Sequence, residues 1–492
     1  MNKIAVISIV IAVLPPLLAA EATSDLSEPM QDSLVHLEVS GASWEQLQPW
    51  RQTGINTVGA YGNAVGPYEV LTTAGPLADA VSVRARRYDQ NEYIPARIKV
   101  IDYEYNLCLL ELDSSSLDTP LTPLEFVDKF SKGSDLWSYR LDFGGDITKA
   151  RANLDRAEVR YSPVSFVKTL QYVLTNPSRS TGAGEVYCLD DEPIGIACWS
   201  SDAEVGLIPA ESINRFLRNA QNPPYRGFGA VGFETSNLLD PAVRNYLKMP
   251  DEIRHGVYVT SVYTMGTGSS ELVSGDVILS INSHLLNPYG RYRHERYDRI
   301  GFEHLIAQAQ AGETMTFRIF RNGKEESVDV KVRNIKAEDM LVPYYLYDKR
   351  PEYLVIGGFV FQTLTRDYMT MWGEGWQGRV PPHLYQYYRE HAFRPTEQRS
   401  DIVLLSYVLP TEANLGYHQL GRLVVKSFNG IKIRSLDQMV EAMSNTPQSP
   451  FHVVEFELES PTVVIPKTSL PMTNQLVREL YGISELAYID PN

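Results

Sequence analysis

Short apolar runs, many alternating with polar residues, dominate this chain, and stretches with a helical period are few. Leu34, Val35, Leu37 and Val39 alternate with or adjoin polar residues as in a half-buried strand, and Gln48-Pro49-Trp50 punctuates the chain beyond it. Two further strand-like runs, residues 57–60 and 68–75, flank a turn region of Gly, Asn and Pro, and residues 92–102 and 106–113 continue the pattern. Many short strands separated by turn signals predict a mainly β barrel or sandwich over residues 33–220. Asn222-Pro223-Pro224-Tyr225 reads as a linker. Beyond it, strands at 256–259 and 274–282 precede a helix at 302–309, with Phe302, Leu305, Ile306 and Ala309 on one face and Gly312 after it. Phe317, Ile319, Val328 and Val330 then flank Asn322-Gly323, a strong two-residue hairpin signal. A third region repeats the mixture: strands at 401–406 and 423–430, a helix at 436–443 and a strand at 453–458.

Composition narrows the class. The 492 residues predict about three domains. A hydrophobic share of 43% and a charged share of 21% are ordinary for globular cores, which excludes long disordered tracts. A net charge of −15 with no local Lys/Arg block argues against a nucleic-acid or anionic-membrane surface. Residues 1–22 read as a secretory signal peptide: Met1-Asn2-Lys3, an apolar core broken by Pro15-Pro16, and Ala20-Glu21-Ala22 as a cleavage signal. No later segment has the length of a membrane span, so none is expected after cleavage. Cys108, Cys188 and Cys198 permit at most one bridge; three buried thiols is the reading taken. No spacing suggests a metal site, and no cofactor is expected.

Three short motifs carry the functional reading. The chain has Thr72-Thr73-Ala74-Gly75, then Asn106-Leu107-Cys108-Leu109-Leu110, then Ser180-Thr181-Gly182-Ala183-Gly184, followed by Ile194-Gly195-Ile196-Ala197 and Leu207-Ile208-Pro209. These segments resemble the Deg/HtrA family of serine proteases, whose motifs there are Thr-Asn-Ala-His, Asp-Leu-Ala-Leu-Leu and Gly-Asn-Ser-Gly-Gly. The resemblance implies a trypsin-like double β-barrel at 33–220 followed by two PDZ domains, at 225–335 and, more divergent, at 340–470. The latter carries an aromatic-rich insertion at 363–399, and a tail is expected at 471–492. The second half is similar to the plant Deg-type proteases. Gly75, Asn106 and Gly182 stand where that family carries histidine, aspartate and serine. Acyl transfer by serine needs a base within hydrogen-bond reach and a carboxylate to hold it. Glycine offers neither base nor nucleophile, and the one histidine between 33 and 220, His36, falls on the first expected strand. No catalytic residue is therefore assigned, and the barrel is expected to be a pseudoenzyme. The alternative is an active serine endopeptidase with a non-standard site at Ser178 or Ser180.

Gly227-Phe228-Gly229-Ala230-Val231-Gly232-Phe233 resembles a PDZ carboxylate-binding loop, and Ala230, Val231, Gly232 and Phe233 are assigned to peptide binding. Gly357-Gly358-Phe359-Val360-Phe361 resembles a second such loop. Residues 289–299, basic and rich in tyrosine, read as a solvated loop. The whole implies a periplasmic or secreted protein that binds peptide C-termini or unfolded proteins in quality control, as adaptor, chaperone or regulator. The resemblance also implies a homo-oligomer built on trimers.

Overall fold

Six strands of the first barrel, numbered in chain order, are β1 Leu34–Gly41, β2 Asn56–Gly66, β3 Glu69–Thr72, β4 Ala80–Arg87, β5 Ile94–Asp102 and β6 Leu107–Leu112. They close antiparallel in the order β1-β2-β3-β6-β5-β4. Alternation sets the inside: Val35, Leu37 and Val39 of β1 meet Val83, Ala85, Ile94 and Leu110 in one buried cluster. The second barrel comprises β7 Asp135–Leu141, β8 Ile147–Tyr161, β9 Lys168–Thr175, β10 Val186–Leu189, β11 Glu192–Ser200 and β12 Glu204–Pro209, in the order β10-β11-β12-β9-β8-β7. The helix Ala210–Ala220 follows, burying Ile213 and Phe216. The fold is the trypsin-like double barrel, described here from a computed structural model that covers residues 28–88, 90–444, 449–458 and 461–490. The expected signal peptide lies outside the described residues, and among them no helix is long and apolar enough to cross a membrane.

The next sheet contains β13 Phe233–Ser236, β14 Val257–Val262, β15 Val277–Ile281, β16 His284–Leu285, β19 Thr314–Arg321 and β20 Lys324–Lys331, ordered β13-β14-β15-β19-β20 with β16 on β15. Its outer strand β20 reads Lys-Glu-Glu-Ser-Val-Asp-Val-Lys, charges that blunt an exposed edge. Between β16 and the helix Glu303–Gln308 a two-stranded hairpin, β17 Arg291–His294 and β18 Asp298–Gly301, covers the second barrel. This is the segment expected as a solvated loop. Its alternation buries Tyr292 and Tyr297 while Arg291, Arg293 and Arg299 face out. The Tyr297 hydroxyl donates to Glu211 Oε2 at 2.8 Å and lies 3.0 Å from that of Tyr172, and Arg296 pairs with Asp128.

The last sheet contains β21 Tyr353–Ile356, β22 Phe359–Thr363, β23 Val403–Val408, β24 Leu423–Phe428, β25 Ile431–Lys432, β26 Phe451–Phe456, β27 Val463–Pro466 and β28 Ala487–Tyr488, in the order β27-β26-β24-β23-β22-β21-β28 with β25 on β24. Residues expected as a tail are built into it. The helix Leu470–Tyr481 buries Val477 beside Trp50 and Tyr353, and β28 pairs with β21. The aromatic-rich insertion forms a joint: Phe393 stacks 4.7 Å from Tyr263 of the preceding domain and meets Phe166 of the second barrel edge-on at 5.5 Å. The three cysteines are unpaired, Cys108 and Cys188 buried and Cys198 half-buried.

Candidate functional site

Strand ends bring the first two degenerate positions together. Gly75 opens a short 3₁₀ turn after β3, and Asn106 closes the β5–β6 turn in the left-handed region at φ 55°, a conformation asparagine tolerates. The Asn106 Oδ1 accepts the Gly75 N–H at 2.9 Å. What aspartate would do for a histidine side chain, asparagine does for the glycine backbone. A Cβ at Gly75 would stand 3.0 Å from Val164, so this corner leaves little room for a side chain.

The third position is filled from the other barrel. A Cβ on Gly182 would fall well inside van der Waals contact with the Tyr61 ring, which occupies the space a nucleophile's side chain needs. Tyr61 is held by the Arg140 guanidinium 5.2 Å over its ring and by His36 edge-on at 6.1 Å. The backbone is committed as well: the Gly182 N–H donates to Glu185 Oε2 at 3.1 Å, and that of Gly184 to the Ala197 carbonyl at 2.8 Å. Glu185 is fully buried and also pairs with Arg140 and Arg179. His36 thus stands one ring from Gly182, nearer than its strand position suggests, with Tyr61 between. Burial, and then Arg86, hold its imidazole below the ordinary histidine range, so it sits neutral. Of the two alternative serines, Ser178 accepts the Arg151 N–H at 2.9 Å, as a turn residue does. Ser180 is exposed, and its carbonyl takes Arg140 and Arg179. Tyr61 and Glu185 are the residues sequence reasoning passed over.

Residues 230–233 lead into β13, the terminal strand of its sheet. Val231 bridges Thr267: the Gly232 N–H donates to the Thr267 carbonyl at 2.9 Å and the Thr267 N–H to that of Ala230 at 2.7 Å. The Ala230 N–H is spent on Arg333 at 2.9 Å. Strand alternation directs the Val231 and Phe233 N–H groups to the opposite edge, which pairs with no further strand among the described residues. Gly232 is required by close approach, since a Cβ there would meet the Met265 carbonyl at 2.6 Å and that of Thr267 at 2.8 Å. Phe233 stacks on Phe302 at 5.7 Å, which fixes the strand against the 303–308 helix.

The second expected loop is corrected by the structure. Gly357 and Gly358, at φ 58° and 91°, form a two-residue hairpin turn with Ile356 opposite Phe359. Their polar groups are taken: Asn474 accepts the Gly357 N–H, and Asn414 donates to the Gly357 carbonyl. β22 pairs with β21 on one side and β23 on the other, so no edge is left there for an added strand.

The PDZ domain family matches residues 342–485. Among curated proteins, Protease Do-like 4, mitochondrial, of Arabidopsis thaliana is 26% identical over 80% of this chain and 73% of its own length. Protease Do-like 2, chloroplastic, of the same plant is 27% identical over 90% of this chain and 74% of its own. Among solved structures, an HtrA-type protease, AlgW with decapeptide, is 16% identical, with a TM-score of 0.46 over 63% of this chain and 98% of that one.

Proposed function

We propose that this chain is a catalytically inactive member of the Deg/HtrA family that captures peptide C-termini or unfolded segments along the outer edge of β13, serving quality control as adaptor, chaperone or regulator. The observation that carries this is the Tyr61 ring lying where a side chain at position 182 would stand, and the glycine at position 75 offers no base. Incubation with casein and with an activated fluorophosphonate tests it. Neither cleavage nor labelling is expected; cleavage abolished by Ser178→Ala or Ser180→Ala would refute the proposal in favour of an active endopeptidase.

Peptide capture is supported by the free N–H directions of Val231 and Phe233 and by the unpaired edge of β13. An added strand would gain main-chain hydrogen bonds there, and its terminal carboxylate would meet the 230–233 loop. Peptides with a free C-terminus are expected to bind at least ~10-fold more tightly than the same peptides amidated, a difference of about 1.4 kcal/mol. Fluorescence anisotropy reads this, and equal affinities would remove the loop from the proposal. Trimeric assembly rests on the family resemblance, and light scattering of the mature protein tests it. For residues 1–22 the expectation is removal during export to a periplasmic or extracellular destination. N-terminal sequencing should therefore begin after Ala22; a chain still starting at Met1 would oppose export.

A further inference from the structure

Five consecutive side chains of the β5–β6 turn reach different parts of the molecule. The Tyr225 hydroxyl, in the linker to the first PDZ domain, donates to Asp102 Oδ2. The Tyr103 hydroxyl donates to Asp348 Oδ2. Glu104 Oε1 accepts the Tyr345 hydroxyl at 2.8 Å. The Tyr105 hydroxyl reaches the Ala307 carbonyl at 3.0 Å and the Gly229 carbonyl at 3.3 Å, at the end of the 303–308 helix and beside the peptide loop. Asn106 holds the Gly75 N–H. Residues 344–349 are thereby strapped across the barrel, and Asp348 and Asp79 each accept the other's backbone N–H at 2.8 Å. Asp102, buried, and Glu104, half-buried, stand two residues apart in the turn. They line a cavity of about 290 Å³ between the barrel, the 225–228 linker and residues 334–349.

We infer that the β5–β6 turn, in a chain whose position 106 no longer serves a histidine, clamps the 344–349 strap and the first PDZ domain to the barrel, and that ionising its carboxyl pair, Asp102 and Glu104, releases the clamp. The inference holds whether or not the barrel cleaves. Two neighbouring carboxylates on one cavity wall, Asp102 buried and Glu104 half-buried, would repel each other. The cations on the cavity wall do not offset this: Lys349 bonds Glu338 and Asp490, Lys336 bonds Glu338, and Arg226 is exposed. Arg215, near Tyr105, bonds Gln308. Tyr225 and Tyr345 are pushed up by burial and by their carboxylate partners, so both stay donors. Burial also raises Asp79, which exchanges backbone N–H bonds with Asp348 of the strap, and pushes Asp367 up to about 6, whereas at Glu211 the hydrogen bond and charge of His304 outweigh burial and the net shift is down.

The sign comes from linkage. Burial, and then the Asp102 charge, push the Glu104 carboxyl up to about 8, and burial pushes Asp102 up as well. An acid that holds its proton more tightly in the closed state than in the open one favours closure at low pH. That advantage is lost as pH rises from the ordinary carboxylate range through about 8, and no more is lost above it. Opening should therefore rise ~10-fold per pH unit in that window.

Hydrogen exchange of the full-length protein, followed by mass spectrometry on peptides covering 341–349 and 225–230, reads this directly. Chemical exchange alone gains ~10-fold per pH unit, so the wild type should gain ~100-fold per unit between pH 6 and 8 and ~10-fold above. Glu104→Gln, which mimics the protonated acid, should gain clearly less per unit than the wild type between pH 6 and 8. Tyr345→Phe, which removes one donor, should raise exchange of both segments at pH 6. Wild-type exchange following chemistry alone across pH 6–9, or Glu104→Gln tracking the wild type, would overturn the inference. So would loss of far-UV circular dichroism over the same range, which would mark unfolding rather than release. Should Glu104→Gln fail to fold, the wild-type series and Tyr345→Phe decide the matter.

Discussion

Placing histidine, aspartate and serine at 75, 106 and 182 together is expected to leave the protein unreactive toward fluorophosphonate. In an open site of this type the triad is worth roughly 10⁶-fold in kcat, so a restored centre would be unmistakable. Three features oppose it. The Tyr61 ring stands on the Cβ position of residue 182, Val164 crowds that of residue 75, and the Gly182 N–H that could steady a developing oxyanion is held by Glu185. Losing one such donor alone costs roughly 10²–10³-fold. The Gly182→Ser change by itself is expected to destabilise the fold by about 1–3 kcal/mol through overpacking. Adding Tyr61→Ala to the triple variant should give the first detectable labelling. Efficient labelling of the triple variant with Tyr61 intact would show that the ring yields readily and that the site is not plugged.

Glu185→Ala is expected to cost about 3–5 kcal/mol, the largest single effect in the barrels. Its carboxylate is wholly removed from solvent and satisfies Arg140, Arg179 and the Gly182 N–H at once. Breaking a buried pair by deleting one partner strands the other charges, which is why the cost exceeds the worth of the pair. Urea denaturation should show a lower midpoint with an unchanged slope. Glu185→Met, which keeps volume without charge, leaves the same two guanidinium groups unmatched and should rescue little. A loss below about 1 kcal/mol for Glu185→Ala would mean that water replaces the carboxylate without penalty.

How much of this is legible in the sequence depends on whether the signal is local. The double barrel and the identities at 75, 106 and 182 are readable because each sits in a short strand-end motif. Tyr61 is not readable, because its encounter with Gly182 is made by two barrels meeting and no spacing along the chain marks it. Glu185 looks like one more charge ahead of a strand; only burial gives it meaning. At 357–358 two local signals compete. Gly-Gly between Tyr-Leu-Val-Ile and Phe-Val-Phe-Gln is a two-residue hairpin pattern, and that turn chemistry prevails over the likeness to a carboxylate loop. At 291–301 the polar composition hides a strand period of two, with Tyr292 and Ile300 facing inward from opposite strands.

The sealed edges around β22 have a bearing on valence. With that strand enclosed, the capture edge proposed at β13 would be the one groove among the described residues, and two PDZ modules would not add up to a bivalent receptor. Holding one client at several points would fall to the number of chains brought together, so avidity would be a property of the assembly and would vanish on dilution to monomers.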